Sequence, residues 1–433
     1  MTTFKVIANA TTIINNDFIF DPWIYGNVFN NLWSPYPEPN FKKEELRYIK
    51  YCFISHIHQD HWDLDTIKFF NKETIFYIPD LPFNYVIGNT LAHKGFSKIK
   101  YLKMGSWYDI SRDYLINIVP PLNADGAETQ QVKDKDNGAI AIDTGLLIKI
   151  KKDKSNHLLM GDNVPYDIKI YDKFFKKEKI SSFFFPHNGY AIDFPLCYDN
   201  FTEDQKRKIS NKKSIITERV FIDFIKKIKP KVLVPFSAQF SINSLRKKEF
   251  HKINSEVFFH KDLYCKRIEK ITKIPSACLY EEDIMKYKHG NFQVDTKSDF
   301  FSRRKVRRRV KISLPEPSKN NKSLTDLLNV SLKNYFIRVK KYKVNISLFN
   351  DWNFVIKVQK NFYNINFKNK EITNTFDKKG KYLLLNVSNK ILRCILERKL
   401  HINNCMVSFI LSWERKPNYY NKLLYDSLSF LHI

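Results

Sequence analysis

The ten residues ISHIHQDHWD (54–63) constrain this chain more than any other stretch, because three of its 11 histidines and two aspartates fall there. The preceding apolar run YCFI predicts a buried strand, and His56 and His58, two positions apart, project to the same side where it ends. The chain then turns, which brings Asp60 and His61 to the same point. Imidazole and carboxylate are ligands for zinc, iron or manganese. The stretch predicts a metal site. A surface loop with chance histidines is the alternative, and it fits poorly after a buried strand.

Around this stretch, the first half of the chain alternates short β-like runs with turns and amphipathic helices. Helices are predicted at 63–71 and 216–229, the second from apolar residues at 3.6-residue spacing. Strands are predicted within 11–16, 18–23, 48–55, 74–79, 98–104, 115–121, 139–150, 157–162, 181–187 and 231–238. Many short strands with flanking helices indicate an α/β fold in which helices cover a two-sheet core.

The character of the sequence changes beyond about residue 290. Turn and charge signals lead to LPEPSKNNKS (314–323), which is typical of a linker or exposed loop. Two β-rich runs, Tyr335 to Leu348 and Trp352 to Phe367, are predicted after it, then helical segments at 387–400 and 421–433. We therefore expect a metal-binding catalytic domain over residues 1–300 and a smaller α+β accessory domain over residues 301–433.

The spacing H-x-H-x-D-H resembles the signature of the metallo-β-lactamase superfamily. The resemblance implies an αββα two-sheet sandwich, in which His56 and His58 serve one metal ion while Asp60 and His61 serve another. Asp162 in HLLMGDN resembles the bridging aspartate of that family. Asp21 in FIFDPW resembles its early aspartate, which supports the histidine loop by hydrogen bonding without touching metal; an ordinary turn before Pro22 is the alternative.

Two histidines of the family pattern are missing. The segment PPLNADGAETQQVKDKDNGAIAI (120–142) contains no histidine, and Glu128 is our first choice of replacement among its carboxylates, ahead of Asp125 and Asp136. The last histidine of the pattern would follow the strand KVLVP, where VPFSAQF has none. His187, after another predicted strand, is a candidate substitute, with a hydrogen-bonded turn histidine as the alternative.

Several separate blocks over about residues 20–240 resemble one branch of the superfamily, the CMP-N-acetylneuraminate hydroxylases. They are DPWIYGNVFNNLWSPYPEP, FFFPHNGYAIDFPLCYDNFTEDQKRKI and KIKPKVLVPFSAQF. Members of that branch carry an N-terminal Rieske iron–sulfur domain, whose C-x-H and C-x-x-H pairs are absent from this sequence. If the chain is an oxygenase, we therefore expect its electrons to come from a separate protein.

The net charge of +28 suggests an anionic partner. Lysine is spread evenly, and only SRRKVRRRVK (302–311) is a concentrated basic run. We interpret it as the solvated face of an edge strand, with an anion-binding strand as the alternative. Together with this charge, the resemblance to the CMP-N-acetylneuraminate hydroxylases implies a small anionic substrate such as a sugar phosphate or nucleotide-sugar, and we do not expect nucleic acid to be the partner. No signal peptide, transmembrane segment or C-x-x-C motif is present, which predicts a cytoplasmic protein with reduced cysteines.

Three functions follow from these patterns. The first is a metal-dependent hydrolase holding one or two ions of zinc or iron, with Asp60 and Asp162 in catalytic roles. The second is an iron-dependent oxygenase that hydroxylates a sugar nucleotide. The third is a binding protein whose metal site has degraded, and the missing histidines are its support.

Overall fold

The computed structural model describes residues 1–122, 142–166, 174–187, 193–237, 240–242, 248–250, 252–253, 260–296, 314–319 and 322–433. Strands alternate with helices through the first 296 residues and assemble into two large sheets. The first sheet contains β1 (Thr2–Ala8), β2 (Thr11–Ile14), β3 (Phe18–Phe20), β5 (Tyr51–Phe53), β6 (Ile75–Pro79), β7 (Ile99–Leu102), β15 (Ile284–Lys288) and β16 (Asn291–Asp295). Their order is β16-β15-β1-β2-β3-β5-β6-β7, antiparallel from β16 to β3 and parallel from β3 to β7.

The second sheet has the order β13-β12-β11-β10-β9-β8. Its strands are β8 (Trp107–Asp109), β9 (Tyr114–Val119), β10 (Gly145–Ile150), β11 (Ser155–Leu159), β12 (Ile180–Pro186) and β13 (Val232–Phe236). The strands from β8 to β11 pair antiparallel, whereas β11, β12 and β13 pair in parallel. A separate antiparallel pair joins β4 (Trp33–Pro35) to β14 (Phe240–Ile242).

Side-chain alternation along the strands shows that the two sheets face each other. In β10, Leu146, Ile148 and Ile150 belong to the core that also contains Phe4, Phe53 and Val234, whereas Leu147 packs on the opposite side. Successive side chains of a strand point to opposite faces, so both faces of each sheet are apolar and both are covered. A sandwich of two sheets with outer layers follows.

Helices form the two outer layers. The helices in this part of the chain are α1 (Leu64–Ile67), α2 (Tyr85–His93), α3 (Asp193–Leu196), α4 (Glu203–Ile228) and α5 (Lys261–Thr272), with 3-10 turns at Lys43–Tyr48, Gln59–His61 and Pro82–Asn84. α1 and α2 pack Ile67, Ile87 and Leu91 on the first sheet, and α4 packs Phe221 and Phe224 on the second. The predicted αββα two-sheet architecture is confirmed. The apolar stripe that predicts α4 also includes Ile215, which is however 49% exposed because it lies beside the buried face that runs through Lys213, Thr217 and Phe221.

The C-terminal part contains a smaller sheet with the order β19-β18-β17-β20-β21. The elements are α6 (Leu324–Lys341), β17 (Trp352–Val358), β18 (Asn361–Asn366), β19 (Glu371–Thr373), β20 (Lys381–Asn386), α7 (Asn389–Leu396), α8 (Ile402–Val407), β21 (Ser412–Lys416) and α9 (Lys422–Ser427), with 3-10 turns at Ile346–Leu348 and Leu428–Phe430. The predicted β-rich run from Tyr335 to Leu348 is wrong, because α6 extends to Lys341. A capping box between Ser323 and Asp326 begins this helix, and its buried residues recur every three or four positions.

The C-terminal part shares a hydrophobic core with the sandwich. Trp23 and Leu196 belong to the same cluster as Leu332, Trp352 and Leu385. Backbone hydrogen bonds cross the contact as well, since the Trp413 N–H donates to the Cys197 carbonyl at 2.8 Å. The two parts are therefore packed as one body, and the domain boundary at residue 300 stays a prediction because 297–313 lie outside the described residues.

Within the described ranges, no helix has both the length and the apolar character that a membrane crossing requires. The basic run 302–311 lies outside the described residues, and the cytoplasmic location stays a prediction.

Candidate metal centre

The histidine loop follows β5, at the carboxyl end of the parallel part of the first sheet. His56 is fully buried, and its Nδ1 lies 2.9 Å from the hydroxyl of Ser55. Its other nitrogen, Nε2, lies 2.8 Å from Nδ1 of His58, which is half-buried. The next residues form the 3-10 turn Gln59–His61, which buries Asp60 and His61 beside His56. A short strand followed by a tight turn thus brings four polar side chains to one end of the sandwich.

Asp21 lies beneath the loop and is fully buried. Its carboxylate accepts hydrogen bonds from the Ser55 backbone N–H at 2.7 Å and from the Ser55 hydroxyl at 2.8 Å. It also lies 2.7 Å from Nδ1 of His61. A carboxylate on one ring nitrogen fixes the orientation of the imidazole and leaves the other nitrogen, Nε2, directed towards the centre.

Asp143 joins His56 and His58 in a first group of candidate ligands. Its Oδ1 lies 3.4 Å from Nε2 of His56, and one ligand atom from each of the three residues lies within 4.8 Å of the others. Asp143 comes just before β10, and the adjacent Thr144 donates its hydroxyl proton to the Ser55 carbonyl at 2.7 Å. This hydrogen bond ties the two segments that carry the group.

Asp162 joins His56 and His61 in a second group that meets the same distance limit. Its Oδ2 lies 3.2 Å from Nε2 of His61 and 4.0 Å from Nε2 of His56. Asp162 follows Gly161, whose φ of +56° favours glycine, and a Cβ at that position would lie 3.2 Å from a carboxylate oxygen of Asp21. The turn after β11 is therefore shaped to bring Asp162 against the loop. Asp60 lies at the edge of this group, with Oδ2 3.6 Å from Nε2 of His61.

Burial and mutual proximity shift the titration of these side chains. Burial lowers the pKa of His56 well below its ordinary value, and the neighbouring His61 and His58 lower it further. Burial would also lower the pKa of His61, but the carboxylates of Asp162, Asp60 and Asp21 together raise it well above the ordinary value. Burial raises the pKa of Asp60 to about 6 against the opposing effect of His61. The centre therefore concentrates negative charge around imidazoles.

The donor set fits a divalent metal ion. Two groups of two imidazoles and one carboxylate share His56, and these are ligands that zinc and iron accept. Within the described residues, Nε2 of His61 is buried without a well-formed hydrogen bond, although Asp162 lies nearby. A buried polar atom aimed at other ligand atoms is what a metal-binding pocket requires. His56, His58, His61, Asp143 and Asp162 are the residues that would hold the ion or ions.

The structure brings together most of the residues that the sequence singled out: His56, His58, Asp60, His61, Asp162 and Asp21. Glu128, with Asp125 and Asp136, lies outside the described residues. Sequence reasoning missed Asp143. The available signal was the triplet D-T-G within AIAIDTGLLIKI (139–150). We interpreted that run as one continuous strand, whereas the described part of β10 begins only at Gly145.

His187 is not among the residues that meet in either group. Its Nδ1 lies 2.8 Å from the Phe236 carbonyl oxygen, and its ring centroid lies 5.7 Å from that of Tyr264. Burial lowers its pKa to about 3, and the nearby Lys261 acts in the same direction. These contacts are those of a hydrogen-bonded turn histidine, and its role as a ligand stays a prediction.

Comparison with known proteins gives matches of limited extent. No protein-family model matches the chain. The cytidine monophosphate-N-acetylneuraminic acid hydroxylase of Mus musculus is 21% identical over 241 residues, which cover 51% of this chain and 36% of that protein. The match thus spans about a third of the length of that relative. The resemblance predicted from the sequence is confirmed.

Solved structures that match part of this chain include a hydrolase and a hydroxylase. The isothiocyanate hydrolase from Delia radicum gut bacteria is 14% identical with a TM-score of 0.43, covering 66% of this chain and 99% of that one. CmlA, a diiron beta-hydroxylase from Streptomyces venezuelae, is 15% identical with a TM-score of 0.42, covering 65% of this chain and 53% of that one.

Proposed function

We propose that this chain is a metal-dependent hydrolase acting on a small anionic substrate. The observation that carries the proposal is the meeting of His56, His58, His61, Asp143 and Asp162, from three separate segments, in two ligand groups that share His56. A metal ion bound there polarises a substrate oxygen and activates water. Asp162 belongs to the ligand set, and Asp60, whose Oδ2 lies 3.6 Å from His61, is placed to accept a proton beside it.

A second candidate is an iron-dependent oxygenase. Its specific support is the group of His56, His58 and Asp143, because two histidines and one carboxylate are the ligands typical of non-haem iron oxygenases. The hydroxylase of Mus musculus that matches half of this chain points in the same direction. For this candidate we propose an electron-transfer partner, by analogy with the matching hydroxylase.

The substrate class that we propose is an anionic sugar or nucleotide-sugar. Its support is the net charge of +28 and the name of the matching hydroxylase, which acts on a cytidine monophosphate sugar. We also propose that residues 1–300 carry the chemistry and that 301–433 act as an accessory domain.

Metal content and reaction type together test the proposal. The purified protein is analysed for zinc and iron, then incubated with CMP-N-acetylneuraminate while released products and dissolved oxygen are measured, the latter with added iron and reductant. Bound metal with substrate cleavage and no oxygen uptake supports the hydrolase. Bound iron with substrate-dependent oxygen uptake supports the oxygenase and overturns the hydrolase.

The variant His58→Ala serves as the ligand control. Loss of both metal and turnover in this variant ties the activity to the centre. A wild-type protein that holds well under one equivalent of metal and takes up none would overturn both enzymes, leaving a binding protein with a degraded site.

A further inference from the structure

A cavity of about 390 Å³ opens in the C-terminal part of the molecule. It lies between α6, the segment that joins α7 to α8, and the residues after α9. Its lining consists of Arg338, Lys341, Tyr342, Ile395, Arg398, Leu400, His401, Ile402, Leu428, Ser429, Phe430, Leu431 and His432. The volume falls within the range of small-molecule sites.

The lining carries three permanent positive charges, from Arg338, Lys341 and Arg398, and no Asp or Glu belongs to it. Among the described residues, neither Lys341 nor Arg398 forms an ion pair. Arg338 donates hydrogen bonds to the carbonyls of Phe430 at 3.0 Å and His432 at 2.6 Å, which hold one wall, and its Nη2 lies 3.5 Å from the Ile433 oxygen. The pKa of Arg338 is lowered by burial and then by the charge of Arg398, a sign of like charges held close together.

Apolar and aromatic groups complete the cavity. Leu428 and Leu431 are buried in its floor. The ring of Tyr342 stacks on that of Phe430 with centroids 5.2 Å apart and planes 8° apart, yet the residue is 60% exposed. The exposed Tyr342 ring is therefore available for contact with a flat group of a ligand, next to the positively charged side chains.

Hydrogen bonds link α8, which begins beside the cavity, to the histidine loop of the metal centre. Burial lowers the pKa of His401, and Arg398 and His58 lower it further. Gln59 of the loop accepts from the Phe29 N–H at 2.7 Å, and the Phe29 carbonyl accepts from the Ser408 hydroxyl at 3.2 Å, at the end of α8 that starts after His401.

We propose that this cationic cavity, formed by Arg338, Lys341, Arg398 and His401, binds a phosphate group of the molecule on which the metal centre acts. A phosphate monoester, as in a sugar phosphate, carries nearly two negative charges at neutral pH, so it matches several cations better than a single carboxylate or the singly charged diester of a CMP-linked sugar does. Arginine in particular offers paired donors to phosphate oxygens. The inference rests on the proposed function in one respect: it places the phosphate group and the bond that reacts at the metal centre on the same molecule.

Pyrophosphate binding to the metal-free full-length chain tests the site. Isothermal titration calorimetry at low ionic strength is applied to the wild type, to Arg398→Ala and to the double variant Lys341→Ala/Arg398→Ala. We expect the affinity to fall about tenfold in the single variant and about a hundredfold in the double variant. Lys360→Ala, at the exposed turn between β17 and β18, is the matched control and should stay within about twofold of the wild type.

Three results would overturn the proposal: no pyrophosphate binding by the wild type, an equal loss in Lys360→Ala, or acetate binding as tightly as pyrophosphate. Metal content separates this inference from the proposed function. Arg398→Ala should keep the metal content of the wild type, and His58→Ala should lose metal while it still binds pyrophosphate. If both variants lost both metal and pyrophosphate binding, the substitutions would have disrupted one shared structure. That result would overturn the proposal of a separate phosphate site.

Discussion

The metal centre and the cationic cavity are opposite in charge and in the way their charges are arranged. In the centre, each carboxylate faces an imidazole, as in the 2.7 Å contact between Asp21 and His61. In the cavity, Arg338, Lys341 and Arg398 line one space, and no Asp or Glu belongs to the lining. The centre buries His56, Asp60 and His61, whereas Lys341 and Arg398 of the cavity are exposed and Arg338 is half-buried. The centre suits a cation, and the cavity suits an anion.

The largest expected effect comes from His56→Ala, because His56 belongs to both ligand groups. We expect metal affinity to fall by more than about a hundredfold, since loss of a residue that only supports a ligand already costs ten- to a hundredfold. Elemental analysis after dialysis against zinc or iron measures it. His93→Ala, at the exposed end of α2, is the control. Pyrophosphate binding by His56→Ala should be unchanged. Loss of that binding in a folded variant would show that the metal centre and the cationic cavity are not separate sites.

The next prediction concerns the stability that the sandwich loses at low pH, as distinct from pH effects at the metal centre. His157 is fully buried, and its ring nitrogens lie 2.8 Å from the Ser155 hydroxyl and 2.6 Å from that of Ser182. Burial lowers its pKa to about 3, below the unfolded value. A lowered histidine pKa gives stability that is present above the unfolded pKa and is lost as the pH falls towards the folded one.

Because the fold holds the His157 imidazole neutral, we expect the free energy of unfolding to fall by about 3 kcal/mol between pH 7 and pH 4. Urea unfolding of the wild type and of His157→Gln at both pH values measures the difference. The stability gap between the two proteins should shrink in acid. A gap that is the same at both pH values would show that this imidazole does not titrate between them.

A smaller effect is expected from Asp143→Asn, which keeps the shape of the side chain but removes its charge. Metal affinity should fall roughly ten- to a hundredfold, because a neutral amide is a weaker ligand than a carboxylate. Titration with zinc or iron(II) in competition with a chelator provides the measurement. Asp65→Asn, on the exposed side of α1, should behave as the wild type. Equal affinities for Asp143→Asn and the wild type would remove Asp143 from the ligand set.

Local patterns in the sequence predicted a two-sheet core covered by helices and the histidine loop, and the family resemblance predicted the αββα order of the layers. Alternating apolar residues mark the strands, and H-x-H-x-D-H follows one of them directly, so contacts among His56, His58 and His61 depend on neighbours in the chain. The helix that ends at Lys341 was missed, because its aromatic residues from Tyr335 onwards favour strands when they are considered without the leucines before them. Propensity is a weak guide where tertiary packing selects the face.

The sequence by itself determined the kind of chemistry, since a strand that ends in clustered imidazoles and carboxylates places ligand atoms at one sheet edge whatever surrounds it. Only the tertiary structure decided which carboxylates complete the set and where the second charged region lies. Asp143 reaches His56 because Thr144 bonds to Ser55 across 89 positions of the chain. α8 is linked to the histidine loop because the Ser408 hydroxyl donates to the Phe29 carbonyl and the Phe29 N–H donates to Gln59. Contacts between distant segments follow from how the sheets and helices pack, and no local pattern encodes them.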